Sequence, residues 1–210
     1  AAPSGRLDGC HHPFPAAAPS APRRALAPSR APASGARQPR PPRRPPQRPP
    51  ARWRVQVEVQ SSMCRGLALC FEHDDGRPLF ATPGRAAAVG PALVRQLSLA
   101  GSAPALARRG AAPAVAMLCR AVGDDVAWKP LHFGILMHTR DGRPAVRAAA
   151  VETLGLCFRV VGDEFLVMLP EALGFLSELL EDPDGGVERA ARALLKDVEE
   201  MSGEKLEAFM

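Results

Sequence analysis

Arg140, Arg143 and Arg147 crowd around the acidic turn residue Asp141, and Trp128-Lys129-Pro130 precedes them. Guanidinium groups recognise phosphate and carboxylate, and an exposed tryptophan anchors protein contacts. Trp128, Lys129, Arg140 and Arg143 therefore make up the candidate interaction surface. Two of these side chains have a second reading. Arg147 can bond an acid on the neighbouring helix pair, and Trp128 can plug the groove between helix pairs.

Nothing else in the chain assembles reactive groups. Gly84 to Gly90 lacks the Lys-Ser/Thr ending of a phosphate loop, and no strand precedes it. His73, His132 and His138 lack metalloprotease spacing. His132 and His138, six apart, point to opposite sides of a helix and read as satisfied or surface side chains. Asp74/Asp75, Asp124/Asp125 and Glu199/Glu200 are adjacent pairs, whose members diverge on a helix. Cys10-His11-His12 supplies no second pair of metal ligands. The five cysteines fall in no C-x-x-C pair and read as buried free thiols of a reducing compartment. The sequence thus points to no catalytic residue, no cofactor and no metal.

The elements that position the arginines are helices, and one echo defines them. Asp141, Val146, Arg147, Ala150 and Leu154 recur 41 residues on as Asp182, Val187, Glu188, Ala191 and Leu195. A period of roughly 40–47 residues marks stacked two-helix repeats of the HEAT/armadillo type. In such a unit the acid sits in the turn and can cap the second helix, and the valine starts an apolar stripe that neither helix buries alone. Asp141, Val146, Arg147, Ala150, Asp182, Val187 and Ala191 are the repeat-defining positions. Because Glu188 replaces the arginine, an Arg–Asp ladder stops or reverses there.

The same reading fixes the neighbouring elements. Val146, Ala150, Leu154, Cys157, Phe158 and Val161 form an amphipathic helix that Gly162 stops. Leu166 to Leu180 forms the next, with Pro170 at a kink or start, and Val187 to Val198 the last long one, ended by Gly203 before a short helix to Met210. Pro130 is placed in a helix first turn. Upstream, 85–99 and 114–122 read as helices and 101–113 as a small-residue loop, with a turn at Asp74-Asp75-Gly76. Val55 to Val59 alternates like a strand, whereas the stretch after Ser61 suits a helix. The clearest repeats are 128–161 and 163–203. The fold class is all-α, an α-solenoid end of stacked HEAT-like repeats.

Charge divides the chain. Residues 1–54 hold 14 of the 23 prolines and eleven arginines against one acid, while residues 55–210 hold 16 basic and 21 acidic residues. The overall +5 is the average of a basic tail and a mildly acidic body. A segment such as Arg40-Pro41-Pro42-Arg43-Arg44 cannot bury a core, so 1–54 is expected to be disordered, and 55–210 to be the HEAT-repeat domain. The tail reads as a low-complexity linker, as sequence foreign to the native protein, or as an RNA-binding or nuclear-targeting arm. No run approaches the ~18 apolar residues of a membrane span. With no initiator Met, the chain reads as a fragment of a longer protein.

Taken in order, Trp128-Lys129-Pro130-Leu131, Ile135-Leu136, Thr139-Arg140-Asp141, Pro144-x-Val146-Arg147, Leu169-Pro170-Glu171, Phe175-Leu176-x-Glu178-Leu179, Glu181-Asp182 and Gly203-Glu204-x-Leu206 resemble one family. It is the large nucleolar HEAT-repeat protein of the UtpA (t-Utp) subcomplex of the small-subunit processome. The similarity runs from Val126 to Met210, more weakly from Met63 to Leu97, and is absent from 1–54. The resemblance implies the C-terminal end of a non-catalytic scaffold in ribosome biogenesis, in the nucleus and nucleolus. It also implies roles in pre-rRNA processing (18S maturation) and RNA polymerase I transcription. Implied partners are the other UtpA subunits, pre-rRNA and the box C/D snoRNP, with no membrane. The competing readings are a karyopherin-like HEAT adaptor and RNA binding through the basic tail.

Overall fold

The computed structural model describes residues 51–74 and 81–206. The disorder expected of the tail, the turn at Asp75-Gly76 and the final helix to Met210 fall outside these residues, apart from the tail's last four positions. Those belong to the first helix, α1, which runs Ala51–Glu72. There follow α2 (Pro83–Arg95), a 3-10 run (Gln96–Gly101), α3 (Pro104–Arg109), α4 (Ala111–Val122), α5 (Asp125–His138), α6 (Pro144–Val161), a second 3-10 run (Asp163–Met168), α7 (Leu169–Leu179) and α8 (Gly185–Ser202). No strand occurs among the described residues.

Two layers result. α1, α4, α6 and α8 pack in sequence as one layer. The second layer places α2 against α5, and α5 against the 3-10 run that leads into α7. The repeat seen in the sequence is literal here. α6 and α8 are both 18 residues long. Gly162 (φ +85°) follows one and Gly203 (φ +72°) the other, a conformation that glycine adopts without strain. Neither Asp141 nor Asp182 caps the helix that follows, each instead accepting the N–H two residues on (Arg143 at 2.9 Å, Asp184 at 2.8 Å). Pro144 supplies a preset φ to α6, and the Asp184 carboxylate accepts from Gly186 and Val187 N–H at the head of α8.

Val146, Ala150, Leu154, Cys157 and Phe158 of α6 and Val187, Ala191, Leu194, Leu195 and Val198 of α8 are all buried. At the middle of the core Phe165, fully buried on the second 3-10 run, takes edge contacts from Trp128 (5.3 Å between centroids) and Phe158 (5.2 Å). One aromatic thereby joins α5, α6 and the start of the α7 unit.

Four local expectations change. Val55 to Val59 is helix, because Val57, Ser61, Cys64, Ala68 and Phe71 line one face of α1 at alternating steps of four and three. The small residues 101–113 are helical too, and their size serves close packing. Ala107, Ala111, Ala112 and Ala114 are buried, and a Cβ on Gly110 would lie 2.8 Å from Ser61 Oγ. Pro130 lies inside α5, which Asp124 caps through Val126 N–H; both Pro130 and the Val126 turn it leaves unbonded face solvent. The run from Leu166 to Leu180 is divided, with Leu166 on the second 3-10 run and α7 beginning at Leu169, so that Pro170 stands at a helix start, one of its two expected places.

The two ends of the first layer differ. α8 turns Arg189, Arg192, Lys196, Asp197 and Glu200 outward. α1 exposes Val55, Val59 and Met63, beside a groove of about 170 Å³ that Leu67, Val89 and Leu93 help to line.

Leu154→Ala, at a fully buried position of α6, is expected to cost about 2–5 kcal/mol in chemical denaturation of the full chain. Leu69→Ala, at an exposed site on α1, should shift the same curve by under about 0.5 kcal/mol.

Candidate interaction surface

The turn between α5 and α6 does gather the sequence-predicted arginines, and each one meets a carboxylate. Arg147 makes a two-pronged bond to Asp182, Nε to Oδ2 and Nη2 to Oδ1, both at 2.7 Å. Its Nη1 donates to the Asp141 carbonyl at 2.9 Å. The pair is withdrawn from water, with side-chain exposures of 11% and 4%. Asp182 also accepts the Asp184 N–H at 2.8 Å, so one carboxylate ties the start of α6 to the capping residue of α8. The Arg147 guanidinium holds the Asp182 carboxyl below the usual range. Arg147 is thus a rung between repeats, and Glu188, its counterpart in the second repeat, pairs within α8 to Arg192.

Arg143 turns back on its own turn, donating Nε and Nη2 to Asp141 at 2.9 Å. That bond lowers the Asp141 carboxyl to about 2. Arg140 forks onto Glu178 of α7 and lies over the Phe175 ring at 4.3 Å. Lys129 reaches Asp125 one turn earlier on α5 at 3.6 Å. Arg140, Arg143 and Lys129 remain half or more exposed, so an anionic partner reaches them by displacing a surface carboxylate, an exchange of small cost.

Trp128 leaves the candidate surface. Its side chain is 3% exposed, and Nε1 donates to the Cys119 carbonyl at 2.7 Å. The residue that receives it, Phe165, carried no periodic signal, being on a 3-10 run.

Further rungs share one sense. Arg108 of α3 forks onto Glu152 of α6 at 2.7 Å, and Arg159 of α6 reaches Asp197 of α8 at 3.3 Å. In these pairs, Arg108–Glu152, Arg140–Glu178, Arg147–Asp182 and Arg159–Asp197, the arginine belongs to the earlier unit and the acid to the later one.

His132 departs from expectation. It is fully buried, its Nδ1 lies 3.2 Å from Glu171 Oε2, and its Nε2 has no partner. Burial beside Phe165 pushes its pKa below the ordinary 6.5, against the pull of Glu171. His138 is satisfied by the Gly134 carbonyl and Ser98. Cys64, Cys119 and Cys157 are buried free thiols and Cys70 is half-buried, while Cys10-His11-His12 lies outside the described residues. Among the described residues no three His, Cys, Asp or Glu side chains are grouped to hold a metal, and no helix is long and apolar enough to cross a membrane.

No family model matches the chain. It is 37% identical over 156 residues to the U3 small nucleolar RNA-associated protein 10 of Chaetomium globosum, and 35% identical over 157 residues to that of Neurospora crassa, in each case 74% of the chain. Over 97 residues (46% of the chain) it is 37% identical to the human HEAT repeat-containing protein 1. The chain spans 9% of each fungal relative and 4% of the human one.

Arg147→Ala is expected to destabilise the chain by roughly 3 kcal/mol, since it strands the buried Asp182, whereas Arg140→Ala should leave the urea midpoint almost unmoved. The pH dependence should have two steps. His132 is held neutral in the fold and not in the unfolded chain, so stability falls as pH drops below about 6.5. Asp141, Asp182 and Glu178 have lowered folded pKa values, so their contribution is fully present above the unfolded values of 3.8 and 4.5, declines below them and is lost as pH falls through the folded values, about 2 for Asp141. Urea midpoints between pH 8 and 3 should keep the lower step and lose the upper one in His132→Leu.

Proposed function

The chain belongs to the family of U3 small nucleolar RNA-associated protein 10 and HEAT repeat-containing protein 1, and from that premise we propose that it serves ribosome biogenesis as a non-catalytic scaffold. Its place is the nucleolus, in assembly of the small-subunit processome on nascent pre-rRNA. There it supports 18S maturation and RNA polymerase I transcription. Its partners are other UtpA subunits, with the pre-rRNA and the box C/D snoRNP in the same particle.

The observation that carries this reading is identity to fungal relatives, named for association with U3 small nucleolar RNA, over 74% of the chain. The chemistry of the repeats agrees with it. Arg140, Arg147 and Arg159 are engaged in holding one unit to the next, which is what a scaffold requires of them. Arg140, Arg143 and Lys129 are the proposed points of contact with an acidic partner.

Affinity purification of the tagged chain from growing cells, with and without residues 1–50, is the test. Recovery of U3 snoRNA, the 5′ region of pre-rRNA and UtpA subunits by both forms is expected. Recovery of transport receptors in their place would favour a HEAT adaptor. RNA recovered only with residues 1–50 present, and lost steeply as salt rises, would place binding in the basic tail.

A further inference from the structure

α5 is apolar on both sides. Trp128, Leu131, His132, Ile135 and Leu136 face the core, while Val126 (68% exposed), Pro130, Phe133 (50%) and Met137 (47%) face solvent. The solvent-facing four stand at i, i+4, i+7 and i+11, a continuous stripe along one helix face. Such a stripe on a water-exposed helix marks a contact surface.

Added repeats would not cover it. α5 lies within its layer, with α2 on one flank, where Val94 comes within 3.1 Å of a Cβ built on Gly134. α7 lies on the other, joined through Arg140–Glu178 and His132–Glu171. A unit stacked at either end meets α1 or α8, never the outward side of α5.

The charges bordering the stripe are ordered. Asp124 and Asp125 stand at its start, with Lys129 offsetting one of them. Gly90 faces Leu131 and Val94 faces Gly134, so α2 and α5 run parallel and Arg95 comes to the same end as His138 and Arg140. Arg95 is exposed and in no ion pair among the described residues. Net of Lys129 at one end and of Glu178, which Arg140 engages, at the other, the stripe keeps one acid at its start and Arg95 at its end.

We propose that the outward face of α5 docks an amphipathic helix of a partner protein, laid antiparallel to α5, with one apolar stripe, an acidic N-terminal end and a basic C-terminal end. The antiparallel orientation sets the partner's acidic first turn beside Arg95 and Arg140, and its basic last turn beside Asp124 and Asp125. Phe133 and Met137 are the apolar anchors.

The probe is a fluorescein-labelled, side-chain-stapled peptide with leucines at the four matching spacings, glutamates in its first turn and lysines in its last. A second peptide carries lysines in both terminal turns, so that neither direction of docking spares it a basic end beside Arg95. Fluorescence anisotropy with the full chain should show the first peptide bound about tenfold more tightly than the second. Phe133→Glu should weaken it at least about tenfold, and Val167→Glu, exposed but outside the stripe, should not. An unchanged urea midpoint for Phe133→Glu separates lost docking from lost folding. Arg95→Glu, in turn, should reverse the preference between the peptides. Equal binding of both peptides, no binding, or indifference to Phe133→Glu would overturn the proposal. A light-scattering mass of twice 22.3 kDa that Phe133→Glu halves would assign the stripe to a second copy of the chain, overturning it likewise.

Discussion

The forked bond between Arg147 and Asp182 is the constraint on which the order of the stack rests. Two helices of similar length and apolar pattern, such as α6 and α8, can slide past one another by a turn at modest cost in packing. A planar guanidinium locked to a carboxylate at two points, and to the Asp141 carbonyl at a third, cannot. Because Asp182 also holds the backbone of Asp184, the residue that caps α8, the bond that aligns the units also fixes where the second one begins. Its contribution is alignment more than net stability, since desolvating both charges offsets much of their attraction.

Around that alignment the core is built from unequal parts. Toward α1 and α3 it is mostly alanine, so helix backbones approach closely and α4 is buried along nearly all its length. Toward α7 it is aromatic and leucine-rich, with Phe165 at the meeting point of Trp128, Phe158 and His132. The indole N–H of Trp128 satisfies the Cys119 carbonyl near the end of α4, which joins the alanine-rich half to the aromatic half.

What could be read in the residues follows from how strongly each element announces its own period. The Asp141 and Asp182 units share turn acid, stripe and closing glycine, and α6 and α8 appear where that pattern placed them. Residues 101–113 have few large apolar side chains to mark a stripe, and close alanine packing looks like a loop until its neighbours are known. Val55 to Val59 misled because three valines in alternation fit both a strand and a helix with only the middle one buried. The Arg cluster was visible, but the acids that engage Arg140 and Arg147 come from 35 to 38 residues further on, a distance that local spacing cannot bridge. Trp128 shows the reverse case: its residue type allowed both a surface anchor and a plug between helix pairs, and the placement of Phe165 decides for the interior.

The contrast between α1 and α8 gives the stack a slope in cohesion. Each interior helix of the first layer is gripped on two sides, while α8 offers water a charged back and α1 offers it Val55, Val59 and Met63. In a linear array whose cohesion is a sum over neighbours, the unit with an unsatisfied apolar side is the one that loosens first. Wherever no further unit covers that side of α1, opening therefore travels like a zip with a single slider, from α1 inward, and stalls where Arg147 is fastened to Asp182. A mechanical load applied along the chain would meet its weakest link at α1 and its firmest between α6 and α8.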